Sequence, residues 1–120
     1  MERITIGAVE ARFADLVWEK APLTTKELVE LCAKAFDWKR TTTYTVLKRL
    51  CERGLFEMKD SVVTAKLTRN EFYARQSEQF VEESFHGSLP AFIAAFTTRK
   101  QLAAEEIEEI KKLVDLIGAK

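Results

Sequence analysis

The sequence predicts a mainly α-helical chain with a small β-wing: a winged helix-turn-helix followed by a C-terminal helical segment. Three observations lead there. Apolar residues recur at helical spacing in three stretches before Gly54. Two short β-type stretches then flank Lys59-Asp60-Ser61. Beyond Thr68 the helical spacing returns in three further stretches.

Ile4-Thr5-Ile6 reads as a short β-like segment, broken by Gly7. Val9, Phe13, Leu16 and Val17 then recur at helical spacing, so a first helix is expected over 9–20. Pro22 cannot continue a helix interior and ends it. Thr24-Thr25-Lys26-Glu27 has the form of a capping box, which opens a second helix with Leu28, Leu31, Cys32, Ala35 and Phe36 on its apolar face. After a turn at 37–40, a third helix is expected over 40–53. Gly54 stands where a left-handed C-terminal residue is wanted.

The β-hairpin is expected at 55–58 and 62–65. Thr68-Arg69-Asn70-Glu71 is a second capping box, opening a helix to about His86 that Gly87 ends. Ser88 caps another helix, with Pro90 in its first turn, where proline is tolerated. The last helix is expected over 102–117, with Ile107, Ile110, Val114 and Ile117 on one face. Two parts follow: 1–70 as a winged helix-turn-helix and 71–120 as a three-helix dimerisation segment.

Residues 1–70 carry 13 Lys/Arg against 10 Asp/Glu, a net of +3, and residues 71–120 carry 6 against 9, a net of −3. The overall zero therefore hides a polarity. Within 38–53, Lys39, Arg40, Lys48, Arg49 and Arg53 are opposed only by Glu52, enough for a phosphate footprint, although a solvated helix face has the same composition. With no apolar run near membrane-span length and no signal-peptide pattern at Met1-Glu2-Arg3-Ile4, the expectation is a cytoplasmic protein that does not use a membrane.

At 100° per residue, Thr43, Leu47, Leu50, Cys51 and Gly54 fall on one side of the third helix, flanked by Val46. Thr41, Thr42, Thr45, Lys48, Arg49 and Glu52 fall on the other, with Tyr44 at the boundary. Threonines are poor choices for an exposed helix on stability alone. Their hydroxyls can meet phosphates or base edges, and their methyls can touch thymine. Lys39 and Arg40 stand at the helix N-terminus, where amides and dipole favour phosphate. Lys39, Arg40, Thr41, Thr42, Tyr44, Thr45, Lys48 and Arg49, with Lys59 on the wing, are the expected contacts to double-stranded DNA. A winged helix used for protein–protein contact is the alternative.

The last 50 residues carry Phe72, Tyr73, Phe80, Phe85, Phe92 and Phe96, yet so short a segment rarely closes a core alone. A second copy would supply the missing surface. These aromatics, with Ile107 and Ile110, are the expected dimerisation set.

Nearly the whole chain resembles the penicillinase-repressor family of winged-helix regulators, the BlaI/MecI group. The resemblance rests on Ile6 through Trp18 with Glu10 inside, on Pro22-Leu23-Thr24 leading to Glu27-Leu28, and on the block from Trp38 to Leu50 followed by Gly54-Leu55. Gly87-Ser88-Leu89 and Glu105 to Lys111 complete it. It implies a homodimeric repressor that binds an inverted-repeat operator, as regulators of β-lactam resistance do, with the last helices of two copies intertwined. Such regulators are inactivated by a sensor protease that cuts between asparagine and phenylalanine. Phe96 matches that phenylalanine, but Ala95 replaces the asparagine. The chain also lacks the cysteine cluster of a copper-responsive branch.

Cys32 and Cys51 form neither a disulfide framework nor a zinc pattern and read as small core residues. A thiol-sensing pair is the sharper alternative. His86 is the single histidine, too few for a metal site, and reads as a helix-end residue. No catalytic set, cofactor motif or phosphate-cradling glycine loop can be assembled, so an enzyme is not expected.

Co-expression with the family's sensor protease should leave the bond between Ala95 and Phe96 uncut. Mass spectrometry that detects a fragment ending at Ala95 would contradict this.

Overall fold

The computed structural model describes residues 6–119. Its elements are α1 (Ala8–Lys20), β1 (Leu23–Thr24), α2 (Thr25–Phe36), α3 (Arg40–Glu52), β2 (Phe56–Lys59), β3 (Val62–Ala65), α4 (Arg69–Phe85), α5 (Leu89–Arg99) and α6 (Ala104–Gly118). The chain divides into two compact units between Gln79 and Phe80.

The first unit has the winged-helix order. Its three-stranded antiparallel sheet runs β1-β3-β2. The wing hairpin pairs Phe56 with Ala65 and Lys59 with Val62. Asp60 and Ser61 turn it with φ of 52° and 62°, the positive values that a two-residue hairpin loop of matching twist requires. β1 pairs Leu23 with Val63 and Thr24 with Val62. This strand has no signature in the sequence, because two residues between a proline and a helix cap show no alternation. Ile6 is not in a strand, and Ile4 and Thr5 of the expected β segment lie outside the described residues.

The caps form as expected. Thr24 Oγ1 accepts from the Glu27 amide at 3.1 Å, and Glu27 Oε1 accepts from the Thr24 amide at 3.0 Å. Thr68 and Glu71 repeat the exchange at 3.1 and 3.0 Å. Ser88 Oγ accepts from the Ala91 amide at 3.1 Å, with Pro90 in the first turn. α2 stops at Asp37, which is left-handed at φ 56°, and Gly54 follows α3 at φ 86°. α5 ends at Arg99, and α6 starts at Ala104 rather than at residue 102. Glu108 pairs with Lys111 at 3.6 Å, three residues on along α6.

The first unit's core gathers Phe13, Ala14 and Val17 of α1, Leu23 of β1, Leu28 and Cys32 of α2, and Val46, Leu47 and Leu50 of α3. Leu55, Phe56, Val63 and Phe72 complete it. Trp18 joins these layers. Its ring lies 5.5 Å from Phe56, 5.6 Å from Phe72 and 6.1 Å from Tyr73, and its Nε1–H donates to the Leu67 carbonyl at 2.9 Å. The indole thereby buries its apolar body while its one polar atom stays bonded.

The second unit is different in kind. Phe80, Phe85, Phe92 and Phe96 form a chain of aromatic contacts with centroids 5.6–6.1 Å apart. No residue of α5 or α6 is buried, and Leu89, Ile93, Phe96, Ile107, Ile110, Leu113, Val114, Leu116 and Ile117 are exposed.

Leu50 is wholly buried on the inner face of α3. Leu50→Ala should destabilise the first unit by about 2–5 kcal/mol, the loss of apolar burial plus a residual cavity. Denaturant titration checks it; an unchanged midpoint would contradict this packing.

Candidate nucleic-acid interface

α3 packs on α2 and β2, and its two faces divide as its sequence dictates. Thr43, Val46, Leu47 and Leu50 are buried, Cys51 and Gly54 are partly covered, and Thr41, Thr42, Thr45, Lys48, Arg49 and Glu52 are exposed. Thr43 is the one threonine of the run that faces inward, and its hydroxyl donates to the Lys39 carbonyl at 3.3 Å. That bond lets a polar side chain sit in the core without an unsatisfied donor.

The outward face is a short ladder of hydroxyls and cations. The Thr45 hydroxyl donates to the Thr41 carbonyl at 2.8 Å, so its proton is used within the helix and its exposed oxygen remains an acceptor. The Arg40 guanidinium lies 5.5 Å from the Tyr44 ring centroid, a cation–π contact one turn along the helix. Lys48 is exposed.

The start of α3 also departs from its neighbours. α2, α4 and α5 carry side-chain caps, and in α1 and α6 a glutamate in the first turn accepts from the cap amide. Lys39 at the start of α3 makes no cap bond, and no acidic residue stands in the first turn. Its amides and the positive dipole end thus face solvent beside Lys39 and Arg40, an arrangement suited to an anion.

Arg49 does not stand alone on the outward face. Its Nη1 donates to Glu10 Oε2 of α1 at 3.0 Å, and Arg53 Nη1 lies 3.7 Å from Glu10 Oε1. Glu10 Oε1 also accepts from the Gly7 amide at 2.9 Å. The backbone bond from Gly7 is the largest influence holding the Glu10 carboxyl below its ordinary value of 4.5; the Arg49 bond and the two guanidinium charges add to it against desolvation. The only signal in the sequence was an acid in the first turn of α1, and that position is explained by capping alone.

The remaining expected residues separate. Lys59 is exposed at the end of β2. Phe72 is fully buried and Tyr73 partly buried in the first unit, with Arg69 lying 4.8 Å over the Tyr73 ring and ion-paired to Asp15 at 3.0 Å. Phe72 is therefore committed to the chain's own core. Phe80, Phe85, Phe92 and Phe96 come together in the second unit, and Ile107 and Ile110 lie exposed on α6. His86 is left-handed at φ 51° directly after α4. Burial pushes both thiols up, Cys51 further so by Glu57 and Glu52, which disfavours the reactive thiolate. Among the described residues no cluster of His, Cys, Asp and Glu could hold a metal, and no helix is long and apolar enough to cross a membrane.

A family model described as penicillinase repressor matches residues 6–116, all but the ends of the chain. The chain belongs to the penicillinase repressor family. Within it, the chain is similar to the penicillinase repressor of Bacillus licheniformis, with 24% identity over 92% of this chain and 89% of that protein. It is also similar to the methicillin resistance regulatory protein MecI of Staphylococcus aureus (strain Mu50 / ATCC 700699), with 21% identity over 92% of this chain and 93% of that one. MecI of Mammaliicoccus sciuri is 20% identical over the same shares. These alignments take in both units.

Because the folded Glu10 carboxyl is depressed, its contribution to stability is complete above pH 4.5 and is lost as pH falls through the lower folded value. The stability gap between wild type and Glu10→Gln should therefore be widest at neutral pH and shrink on acidification below pH 4.5. Thermal melts across that range check it; a gap that widens with acid would reverse the sign.

Proposed function

We propose that this chain is a homodimeric transcriptional repressor that sets α3 of each copy into the major groove of an inverted-repeat operator. The observation that carries this reading is the outward face of α3. Hydroxyls and cations are displayed there on a helix whose other face is anchored in a core, the construction of a recognition helix. Family membership supports repression as the outcome, since relatives at 20–24% identity are named as a penicillinase repressor and as regulators of methicillin resistance.

The contacts divide by position. Thr41, Thr42 and Thr45, with Tyr44 at the edge, occupy the N-terminal half and would meet base edges. Lys39, Arg40, Lys48 and Arg49 would meet phosphates, and Lys59 would bring the wing to the backbone. Phosphate contacts set affinity and register, while base contacts set specificity.

Dimerisation belongs to the helices beyond the wing. A unit with no fully buried residue on α5 or α6 has little core of its own, and a second copy of the same faces would cover Phe80, Phe96, Ile107 and Ile110. Two linked half-site binders then gain from effective concentration what each lacks alone. The pushed-up thiols argue against cysteine chemistry as the signal that relieves repression.

Binding of variants to a duplex from upstream of the protein's own gene, and to a scrambled duplex, tests the division. Lys48→Ala should weaken both and reduce the salt slope by about one per lost phosphate contact in each binding unit. Thr42→Ala should cost about 1–3 kcal/mol on the specific duplex alone. A folded Lys48→Ala protein that binds both duplexes like wild type would remove α3 from the interface.

A further inference from the structure

The carboxylate of Glu10 is met from three directions: the Gly7 amide at 2.9 Å, Arg49 Nη1 at 3.0 Å and Arg53 Nη1 at 3.7 Å. A helix cap explains the first bond and neither of the others. The two arginines come from the end of α3, a different helix, and bring two positive charges to one negative.

Exposure orders these groups from the inside outward. The Glu10 side chain is 13% exposed, whereas Arg49 and Arg53 are 49% and 42% exposed. The carboxylate is the more covered group, and the guanidinium groups are the more open to solvent. Arg49 also falls on the same strip of α3 as Thr42 and Thr45, both exposed. A guanidinium presents its donors in a rigid planar fork, so the edge turned to Glu10 leaves another edge directed away from it.

We infer that Glu10 is a positioning residue for DNA binding: it holds Arg49 by one edge so that the opposite edge meets a backbone phosphate beside the bases read by α3. This rests on the reading of α3 as the DNA-facing helix. The physical gain is pre-organisation. A long side chain already held in one geometry has less rotamer freedom to lose when the phosphate arrives. A carboxylate that masked Arg49 would leave its guanidinium covered, yet Arg49 is the more exposed member of the pair. Thr42, Thr45 and Arg49 then act as a unit whose outer member is braced from α1.

The test is a double-mutant cycle on DNA affinity, measured by fluorescence anisotropy at several salt concentrations with the upstream duplex and the full-length chain. Glu10→Gln keeps an acceptor for the Gly7 amide but removes the charge that holds Arg49. It should weaken binding by about threefold to fivefold, the range of a partly exposed ion pair. It should also lower the salt slope by up to about one per binding unit. In an Arg49→Ala background the same change should have no further effect. Glu27→Gln, which weakens a cap with no arginine attached, should lower the melting temperature and leave the salt slope unchanged; this separates positioning from stability.

Arg49→Lys supplies a check that leaves Glu10 in place. Lysine keeps the charge but has no second edge, so binding should weaken as it does for Glu10→Gln. Overturning results are Glu10→Gln binding like wild type, Glu10→Gln binding more tightly, an equal penalty in the Arg49→Ala background, or Arg49→Lys binding like wild type. If these occur while Lys48→Ala still weakens binding, the reading of α3 stands and only the role of Glu10 falls. If wild type itself shows no salt-dependent binding, both fall together.

Discussion

Burial of Thr43, Val46, Leu47 and Leu50 beneath α3 decides what that helix can present to the outside. A helix has one set of side-chain directions, so fixing the inner face fixes the outer one. Once Leu47 and Leu50 are seated among Phe13, Leu28 and Phe56, the residues Thr41, Thr42, Thr45, Lys48 and Arg49 have nowhere to point but away. The other elements serve that seating. Trp18 ties α1 to β2 and α4 through three aromatic contacts, and β1 ties the wing to the start of α2. Glu10 adds a brace from α1 to the far end of α3.

The two units answer different physical problems. The first closes its own core around Phe13, Phe56 and Phe72, and its polar display is left over after packing. The second has aromatic contacts but no buried residue on α5 or α6, and its apolar faces stay open. Hydrophobic burial drives folding and association alike, so surface left uncovered within one chain is surface available to another. Charge is divided along the chain as well, with a positive excess over 1–70 and a negative excess over 71–120. A phosphate backbone is attracted to the basic stretch and repelled by the acidic one.

Much of this was legible in the residues because it is written locally. Thr24 with Glu27 and Thr68 with Glu71 announce two helix starts, and Gly54 announces an end, since each signal lies within a single turn. The faces of α3 followed from spacing alone. What escaped was non-local. β1 is defined only by its pairing with Val62 and Val63, distant in sequence, and its two residues carry no pattern. Phe72 looked like an interface aromatic by composition, yet it lies against Trp18 and belongs to the first unit. Arg49 looked like a free cation because its partner Glu10 is 39 residues away on another helix. Periodicity reports which side of a helix faces out and is silent about which neighbour reaches over to it.

The central claim is that the outward face of α3 meets DNA, and amide chemical-shift mapping tests it most directly. A duplex from upstream of the gene would be titrated into isotopically labelled protein at low salt. The account predicts that shift changes concentrate at 39–49, with a smaller set at the wing around Lys59, while α5 and α6 stay silent. Changes confined to α5 and α6, or none at all in the stretch from Lys39 to Arg49, would contradict it.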